Sequence, residues 1–331
     1  MRWTRSWFLL LVLVGLLLVW LWPAAVQWTT YLQPTITGAV AVFLSAWAIE
    51  TRRLVGAIAR PIPALLAIGI SYLVLPVLSW LGFFVIANAD FRIGLLLITC
   101  VPCTLVSAVI WTRLGGGNEA VALLVTTLSN GLSWLITTGW LLLAAEVSQV
   151  SFDQTAGLMG QLIIVLVVPM LAGQLWRTVP YMAAFGERRQ TLLAVTGRLL
   201  VLGIMLKAAV EVRSKLEGEG GSVGGIDIAL VAGACVLLHL VGVYLGLWIS
   251  SWLGFDRPTR IAVAFSGSQK TLPVSLILFE EYFTAYPLAV LPIACFHLGQ
   301  LVIDTLLAQR WNAAQGRGLT SLDKKWISSG A

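Results

Sequence analysis

Lys270 lies near the middle of an apolar stretch, residues 258–279, that is long enough to cross a lipid bilayer. A lysine at that depth costs about 2.5–3.5 kcal/mol on insertion scales, so such residues usually have a function. The neighbouring side chains that could bind a polar ligand are Ser266, Ser268, Gln269 and Thr271. Gly267 and Pro273 disfavour a continuous helix, so the stretch predicts a broken membrane helix around a buried polar site. The alternative is a structural cation tied to a neighbouring helix.

A second stretch, residues 91–112, predicts a similar break at Pro102. Proline has no backbone N–H and its ring clashes with the carbonyl four residues earlier, so nearby backbone groups should be free. The hydroxyl side chains expected to line this break are Thr99, Thr104 and Ser107. Two broken helices at corresponding places in two halves of a chain indicate a substrate site. A pair of proline kinks without a function is the alternative.

Further polar residues lie in other apolar stretches. Thr126 and Asn130 are four residues apart, so they share a helix face and are candidate walls of the same site, although such groups also join helices. His239 and His297 are expected to be satisfied interior histidines, and Asp304 is expected to pair with a nearby arginine. The sequence contains no HExxH or Walker A motif, which argues against an enzyme and against a primary pump.

The composition places these stretches in a membrane. Hydrophobic residues make up 59% of the chain and charged residues 11%, whereas soluble domains carry about 25% charge. The chain is therefore predicted to be an all-α polytopic membrane protein. The net charge of +6 comes from short basic clusters between apolar runs, which excludes a nucleic-acid-binding face. The four cysteines lie inside apolar runs, so we expect small buried side chains and no metal or redox centre.

Ten membrane helices are predicted. Division at charges, prolines and glycine-rich segments gives residues 7–22, 34–49, 61–86, 91–112, 118–145, 155–176, 190–210, 226–253, 258–280 and 284–309. Each run is near the roughly 20 residues that a span needs. The longest outer loop is expected at residues 211–225.

The distribution of basic residues predicts the orientation. With ten spans and the N-terminus inside, the arginine clusters at residues 52–60, 177–189 and 257–260 all lie on the inner side. The outer segments contain Arg92 and the pair at residues 213–215. This bias predicts that both termini are cytoplasmic, in a cell (inner) membrane.

A weak internal repeat relates the two broken stretches. Arg92-Ile93 matches Arg260-Ile261, and Val106-Ser107 matches Val274-Ser275. Five spans separate the two, so they enter the membrane from opposite sides, which is typical of the inverted repeats of transporters. We therefore expect a first repeat at residues 1–150, a second at 151–310 and a cytoplasmic tail at 311–331. Spans 1, 2, 6 and 7 should form a panel, and spans 3–5 and 8–10 a core in which the broken helices cross.

The order of these motifs resembles the bile acid:sodium symporter superfamily over residues 7–310. Pro102 with Ser107 resembles the family's broken fourth helix, and Gly117-Asn118 resembles the turn before its polar fifth helix. The segment Gly267-Ser268-Gln269-Lys270 is similar to the cation-proton-antiporter-like (SBF-like) subgroup. The resemblance implies ten helices in two inverted five-helix repeats and secondary active transport.

The coupling ion is where the sequence departs from that family. Sodium-coupled members carry Glu-x-x-x-Gln-Asn in the ninth span, whereas this chain has Phe265, Gln269 and Lys270. A lysine where relatives bind a cation implies transport without sodium, either linked to protons or driven by the substrate gradient alone. In the alternative, Ser107, Thr126 and Gln269 still bind Na⁺. We predict no other cofactor.

The predicted partners are the lipid bilayer and a small organic anion. An anion is favoured because half-helix N-termini present free N–H groups to the crossing region, and because no acidic residue is expected near the breaks. A non-transporting membrane regulator built on the same fold is the main alternative, followed by an intramembrane enzyme. The oligomeric state stays open.

Overall fold

The computed structural model describes residues 7–49, 58, 61–144, 152–219 and 225–313, and these residues form helices and connections without a β-strand. The helices are α1 (Trp7–Leu21), α2 (Pro34–Trp47), α3 (Ile62–Leu81), α4 (Ala89–Cys100), α5 (Ser107–Leu114), α6 (Glu119–Leu143), α7 (Phe152–Leu162, continuing through Val168–Trp176), α8 (Pro180–Arg188), α9 (Gln190–Glu219), α10 (Gly225–Trp252), α11 (Arg257–Ser268), α12 (Leu272–Tyr282) and α13 (Val290–Ala313). Two wider π turns, Ile70–Val74 in α3 and Ile163–Val167 in α7, and four short 3₁₀ turns, Pro23–Ala25, Gln27–Tyr31, Gly82–Phe84 and Pro287–Ala289, complete the pattern.

Seven segments of the described chain are long and apolar enough to cross a membrane: α3, α6, α7, α9, α10, the combined α11–α12 segment and α13. The protein is therefore an integral, multi-pass membrane protein. Helices α1 and α2 are apolar but shorter, and α4 and α5 are separated by a break. The number of ten crossings thus stays a prediction. The basic clusters at residues 52–60 and the tail beyond residue 313 lie outside the described residues.

Both expected helix breaks are present. Between α4 and α5, residues 101–106 leave the helix, and Val101 is extended with φ −81° and ψ 163°. The residue before a proline is pushed towards this conformation, so Pro102 explains where α4 ends. Between α11 and α12, residues 269–271 are extended, and Pro273 lies in the first turn of α12, where its missing N–H costs nothing. We call residues 101–106 the first break and 269–271 the second break.

The division into the predicted panel and core stays a prediction, and α12 of the core also packs on α2 and α9 of the panel. In the panel, α2 packs on α7 and α9, and α1 packs on α9. In the core, α11 packs on α3, α5, α6 and α10, while α13 packs on α4 and α10. The α11–α12 segment is the most enclosed of the seven candidate spans, because 94% of its apolar stretch is buried inside the protein. The breaks therefore lie inside the helical core rather than on its lipid-facing surface.

One helix is longer than the sequence predicts. The segment expected to begin the outer loop at residue 211 instead continues α9 to Glu219. The residues in that turn include Lys215, Leu216 and Glu217, which favour helix, so hydropathy alone ended the predicted span too early. Residues 220–224, which contain three of the loop glycines, lie outside the described residues.

Gly94 in α4 allows the closest backbone approach in the core. A Cβ atom at this position would lie 2.1 Å from the carbonyl oxygen of Ala289 and 2.7 Å from Pro292. We expect Gly94→Ala to destabilise the protein by about 3 kcal/mol or more, because a backbone carbonyl cannot rotate away as a side chain can. The measurement is the thermal unfolding midpoint of the purified protein in detergent. Gly139→Ala is the control, since no heavy atom lies within 4 Å of its Cβ position; equal midpoints for the two variants would contradict this packing.

Candidate functional site

The two breaks contact each other directly. The backbone N–H of Thr271 donates to the carbonyl of Pro102 at 3.0 Å, and the ammonium of Lys270 donates to the carbonyl of Val101 at 3.0 Å. A side-chain bond joins them as well, because the hydroxyl of Thr104 donates to Oε1 of Gln269 at 2.6 Å. Backbone groups that the breaks remove from helices are thus satisfied across the pair, as buried polar groups require.

Lys270 is fully buried, and its ammonium is held without an acidic partner among its hydrogen bonds. Its Nζ donates to the carbonyl of Ser71 at 2.6 Å as well as to Val101, and it lies 5.2 Å from the centre of the Tyr72 ring. An ammonium has three donors and no acceptor, so two carbonyl oxygens and an aromatic face suit its charged form. This environment resembles a binding site for a cation, with the lysine supplying the cation.

Pro76 in α3 prepares the acceptor for Lys270. In the π turn before it, each carbonyl should bond to the N–H five residues later, as Ile70 does with Leu75. The corresponding donor for Ser71 would be residue 76, and proline has no N–H. The Ser71 carbonyl is therefore free to bind Lys270. In a regular α-helix the carbonyl of Tyr72 would bond to the N–H four residues later, which is again position 76. It accepts the indole N–H of Trp140 at 2.6 Å instead.

Gln300 of α13 holds the backbone of the second break. Its Oε1 accepts the backbone N–H of Lys270 at 2.9 Å, and its Nε2 donates to the carbonyl of Lys270 at 3.0 Å. The second hydrogen on Nε2 faces Nδ1 of His297 at 2.9 Å, so that ring nitrogen is an acceptor. The side-chain amide thus replaces the helical partners that the break removes, and it fixes the orientation of His297.

Gln269 connects the breaks to a buried acid on α13. Its Nε2 donates to Oδ2 of Asp304 at 2.6 Å, and Oδ1 of Asp304 lies 2.9 Å from Nε2 of His239 on α10. Asp304 and His239 are fully buried. The prediction of no acidic residue near the breaks is therefore wrong. Asp304 pairs with His239 and Gln269 rather than with an arginine, because its position one turn after Gln300 directs it into the core.

A cavity with an empty volume of about 640 Å³ opens on the surface of the paired breaks. Its core side is formed by both breaks, by Asn130 of α6 and by His297. Its panel side is formed by α1, α2 and α9, with Ser45 and Arg198 as the polar side chains. The cavity therefore lies between the two helix groups, with polar groups on both sides.

The polar groups of this cavity suit an anion. Arg198 is half-buried and has neither a hydrogen bond nor an ion pair within the described residues. The N-termini of α5 and α12 also face the cavity, since Ser107, Thr271 and Leu272 contribute to its wall. Helix N-termini carry unpaired N–H groups and the positive end of the helix dipole. An unpaired guanidinium and two helix N-termini together form a positive environment for a carboxylate or a similar group.

The structure brings some predicted site residues to the cavity and leaves others in their own helices. Those that line the cavity are Thr104, Ser107, Asn130 and Thr271, while Pro102, Gln269 and Lys270 lie behind them in the breaks. Thr99, Thr126, Ser266 and Ser268 donate their hydroxyls to carbonyls three or four residues earlier in their helices. Their role in binding stays a prediction. Thr99 lies outside the break, because α4 continues one residue beyond it to Cys100.

Sequence analysis missed Arg198, Gln300 and the contact of Asp304 with the second break. Arg198 and Asp304 carried the signal that singled out Lys270, which is a charged side chain within an apolar run. Arg198 lies inside the seventh predicted span rather than in a loop, so the orientation argument does not include it. Gln300 had no such signal, because a glutamine in a helix acquires its function only when the second break folds against it.

The three proposed ligands of the alternative sodium site lie in different surroundings, and that site stays a prediction. Of its three proposed ligands, Ser107 lines the cavity, whereas Thr126 donates to Leu123 and Gln269 is bonded to Thr104 and Asp304. Among the described residues, no group of three or more His, Cys, Asp or Glu side chains could hold a metal ion. The cysteines of the CxxC pair, Cys100 and Cys103, are buried and unbridged, in line with small core side chains.

Comparison with known proteins gives a consistent result. Residues 6–313 match the sequence model of the SBF-like CPA transporter family. The probable sodium/metabolite cotransporter BASS4 of Arabidopsis thaliana is 31% identical over 231 residues, which cover 66% of this chain and 52% of the relative. The putative symporter YfeH of Escherichia coli is 27% identical over 223 residues, covering 66% and 64%.

A third relative aligns over nearly its whole length. The sodium/bile acid cotransporter 7 of Danio rerio is 22% identical over 333 residues, covering 96% of this chain and 98% of the relative. The chain spans about half to two thirds of the chloroplast and bacterial relatives. The family and these relatives are transporters rather than enzymes.

Proposed function

Because the chain belongs to the SBF-like CPA transporter family, we propose that it is a secondary active transporter that carries a small organic anion by alternating access. The observation that carries this proposal is the cavity between panel and core, where Arg198 and the N-termini of α5 and α12 converge. A site shared by two helix groups can open to either side of the membrane when one group moves against the other.

We extend the proposal to the architecture. The apolar helices α1 and α2 and the α4–α5 pair complete the seven longer spans to ten crossings in two inverted five-helix repeats. Contact between the two breaks and the packing of α2 on α7 and α9 support this arrangement. Both termini lie in the cytoplasm in this proposal, which reporter fusions at each end of the full chain test. A reporter active on the outer side would contradict it.

For coupling, we propose that transport does not depend on sodium, because the ammonium of Lys270 replaces a bound cation. Its two carbonyl contacts are the kind of oxygen ligand that a sodium ion prefers. A sodium-coupled organic anion symporter with altered ligands is the second candidate, and the names of relatives in two groups, sodium/metabolite and sodium/bile acid cotransporters, favour it.

The test of the transport proposal is uptake into proteoliposomes that contain the purified full-length protein. The panel of labelled solutes consists of small monocarboxylates, dicarboxylates and sulfonates, with neutral and cationic compounds of similar size. We expect uptake of at least one anion above that of protein-free liposomes, with no uptake of the cations. Uptake of neutral or cationic solutes without any anion would refute the substrate class, and the absence of all uptake would refute transport.

A further inference from the structure

The pair formed by His239 and Asp304 contains more hydrogen-bond acceptors than a neutral histidine can satisfy. Nε2 of His239 faces Oδ1 of Asp304 at 2.9 Å, and Nδ1 faces the carbonyl of Ser268 at 3.3 Å. A neutral imidazole has one N–H, so with an ionised Asp304 one of the two contacts would place a lone pair against an oxygen. One additional proton, on the ring or on Oδ1 of Asp304, satisfies both contacts.

Burial makes this proton favourable. Both side chains have no solvent exposure, and a buried carboxylate without a compensating charge is costly. With the proton the pair has no net charge, whether it exists as imidazolium and carboxylate or as imidazole and carboxylic acid. Without it the pair leaves one negative charge in the core. Loss of the proton therefore removes a hydrogen bond and adds a buried charge at the same time.

A chain of hydrogen bonds connects the pair to the cavity. Oδ2 of Asp304 accepts from Gln269 at 2.6 Å, Oε1 of Gln269 accepts from Thr104 at 2.6 Å, and Thr104 lines the cavity. The hydroxyl oxygen of Thr104 also accepts the backbone N–H of Ala108, in the first turn of α5. A change in the charge of Asp304 is thus transmitted to the start of a helix whose N-terminus faces the proposed anion.

The other titratable groups around the pair are identified from each neighbouring element. Lys270 comes from the second break and Cys103 from the first break, where it interacts electrostatically with both Lys270 and Asp304. His297 comes from α13 and Tyr72 from α3, in contact with Gln300 and Lys270 respectively. The ammonium of Lys270 is bonded to the carbonyls of Ser71 and Val101 rather than to the pair.

We propose that His239 and Asp304 form a proton-binding site, and that its proton moves together with the transported anion. With the proton bound, the pair adds no negative charge behind the cavity wall, and the cavity attracts an anion. After its release, the negative charge of Asp304 acts through Gln269 and Thr104 on that wall, and the anion is held less strongly. Proton and anion therefore favour the same state, which makes the protein a proton–anion symporter. This step rests on the proposed transport function.

The first test examines the site without a substrate. The chain contains two histidines, so ¹⁵N-histidine labelling of the full-length protein gives ring signals from His239 and His297 alone, and His297→Gln assigns them. We expect the His239 signals to change with pH in the wild type, because one proton is shared by the ring and Asp304. In Asp304→Asn this change should be lost or moved. Asp90→Asn is the matched control, because the carboxylate of Asp90 accepts the backbone N–H of Leu288 outside this network. In this variant the His239 signals should change with pH as they do in the wild type.

The second test examines coupling. Proteoliposomes loaded with a pH-sensitive dye should show internal acidification when the anion identified by the uptake panel enters, and an outside pH one unit lower should raise uptake about tenfold. Anion uptake without acidification, or His239 signals that do not change with pH, would overturn the proposal. If His239 titrates but no anion in the panel is transported, the transport function fails and proton–anion coupling fails with it, while the proton site is retained.

Discussion

Arg198→Ala is expected to lower anion uptake by roughly 100-fold in kcat/KM, equivalent to about 3 kcal/mol. The guanidinium lines the cavity without a partner in the described residues, so its interaction energy is available for a ligand. Because a half-buried charge without a partner destabilises a fold, the thermal unfolding midpoint should stay equal or rise in the same variant. If Arg198 instead stabilised the fold, uptake would persist and the unfolding midpoint would fall.

Two variants make the Arg198 experiment specific. Arg198→Lys keeps the charge but loses the planar, bidentate donor pair, so it should recover part of the uptake. Arg213→Ala removes an arginine from the same helix that bonds the carbonyls of Val19 and Trp20 and lies outside the cavity, so uptake should stay near that of the wild type. Uptake that persists in Arg198→Ala, together with a lower unfolding midpoint, would show that the residue serves the fold.

The helix breaks could be predicted from sequence because a proline acts on its own helix. Pro102 and Pro273 lack an N–H wherever they occur, and the helices end beside them. Hydropathy placed the apolar runs for an equally local reason, since each run must be long enough to cross a bilayer. Features that depend on a residue itself or on its own helix could therefore be predicted from the sequence.

The hydrogen-bond partners that lie on other helices of the core could not be predicted in the same way. The acceptor for Lys270 is a carbonyl almost two hundred residues earlier in the chain, and it is free only because Pro76 cannot supply a donor. Likewise, Asp304 reaches Gln269 only after α13 has packed beside α10. The repeat predicted that the broken helices cross, but not which side chains meet there, so the charged residues could be noticed individually but not connected.

The corrected position of Asp304 changes what is expected of Lys270. This chain has Phe265 at the position where the sodium-coupled pattern has glutamate. The ring of Phe265 packs on that of Trp311, with 4.9 Å between the two centroids. A carboxylate is nevertheless present beside Gln269, supplied by α13. Replacing Lys270 with asparagine would therefore remove a cation beside Gln269, whose amide is bonded to the carboxylate of Asp304. This is a more favourable site for sodium than the sequence alone suggested.

We therefore expect wild-type uptake to be the same with and without a sodium gradient, and Lys270→Asn to transport slowly but with stimulation by sodium. Lys270→Met is the control of similar volume without charge or oxygen ligands, and it should lose uptake under both conditions because the carbonyls of Ser71 and Val101 are left without a donor. Unfolding midpoints of the purified variants separate loss of function from loss of fold. Strong stimulation of the wild type by sodium would refute the replacement of a cation by Lys270. Sodium dependence that appears in Lys270→Asn alone would mean that one buried positive charge is required at the breaks, and that the lysine supplies in this chain what an ion supplies in its sodium-coupled relatives.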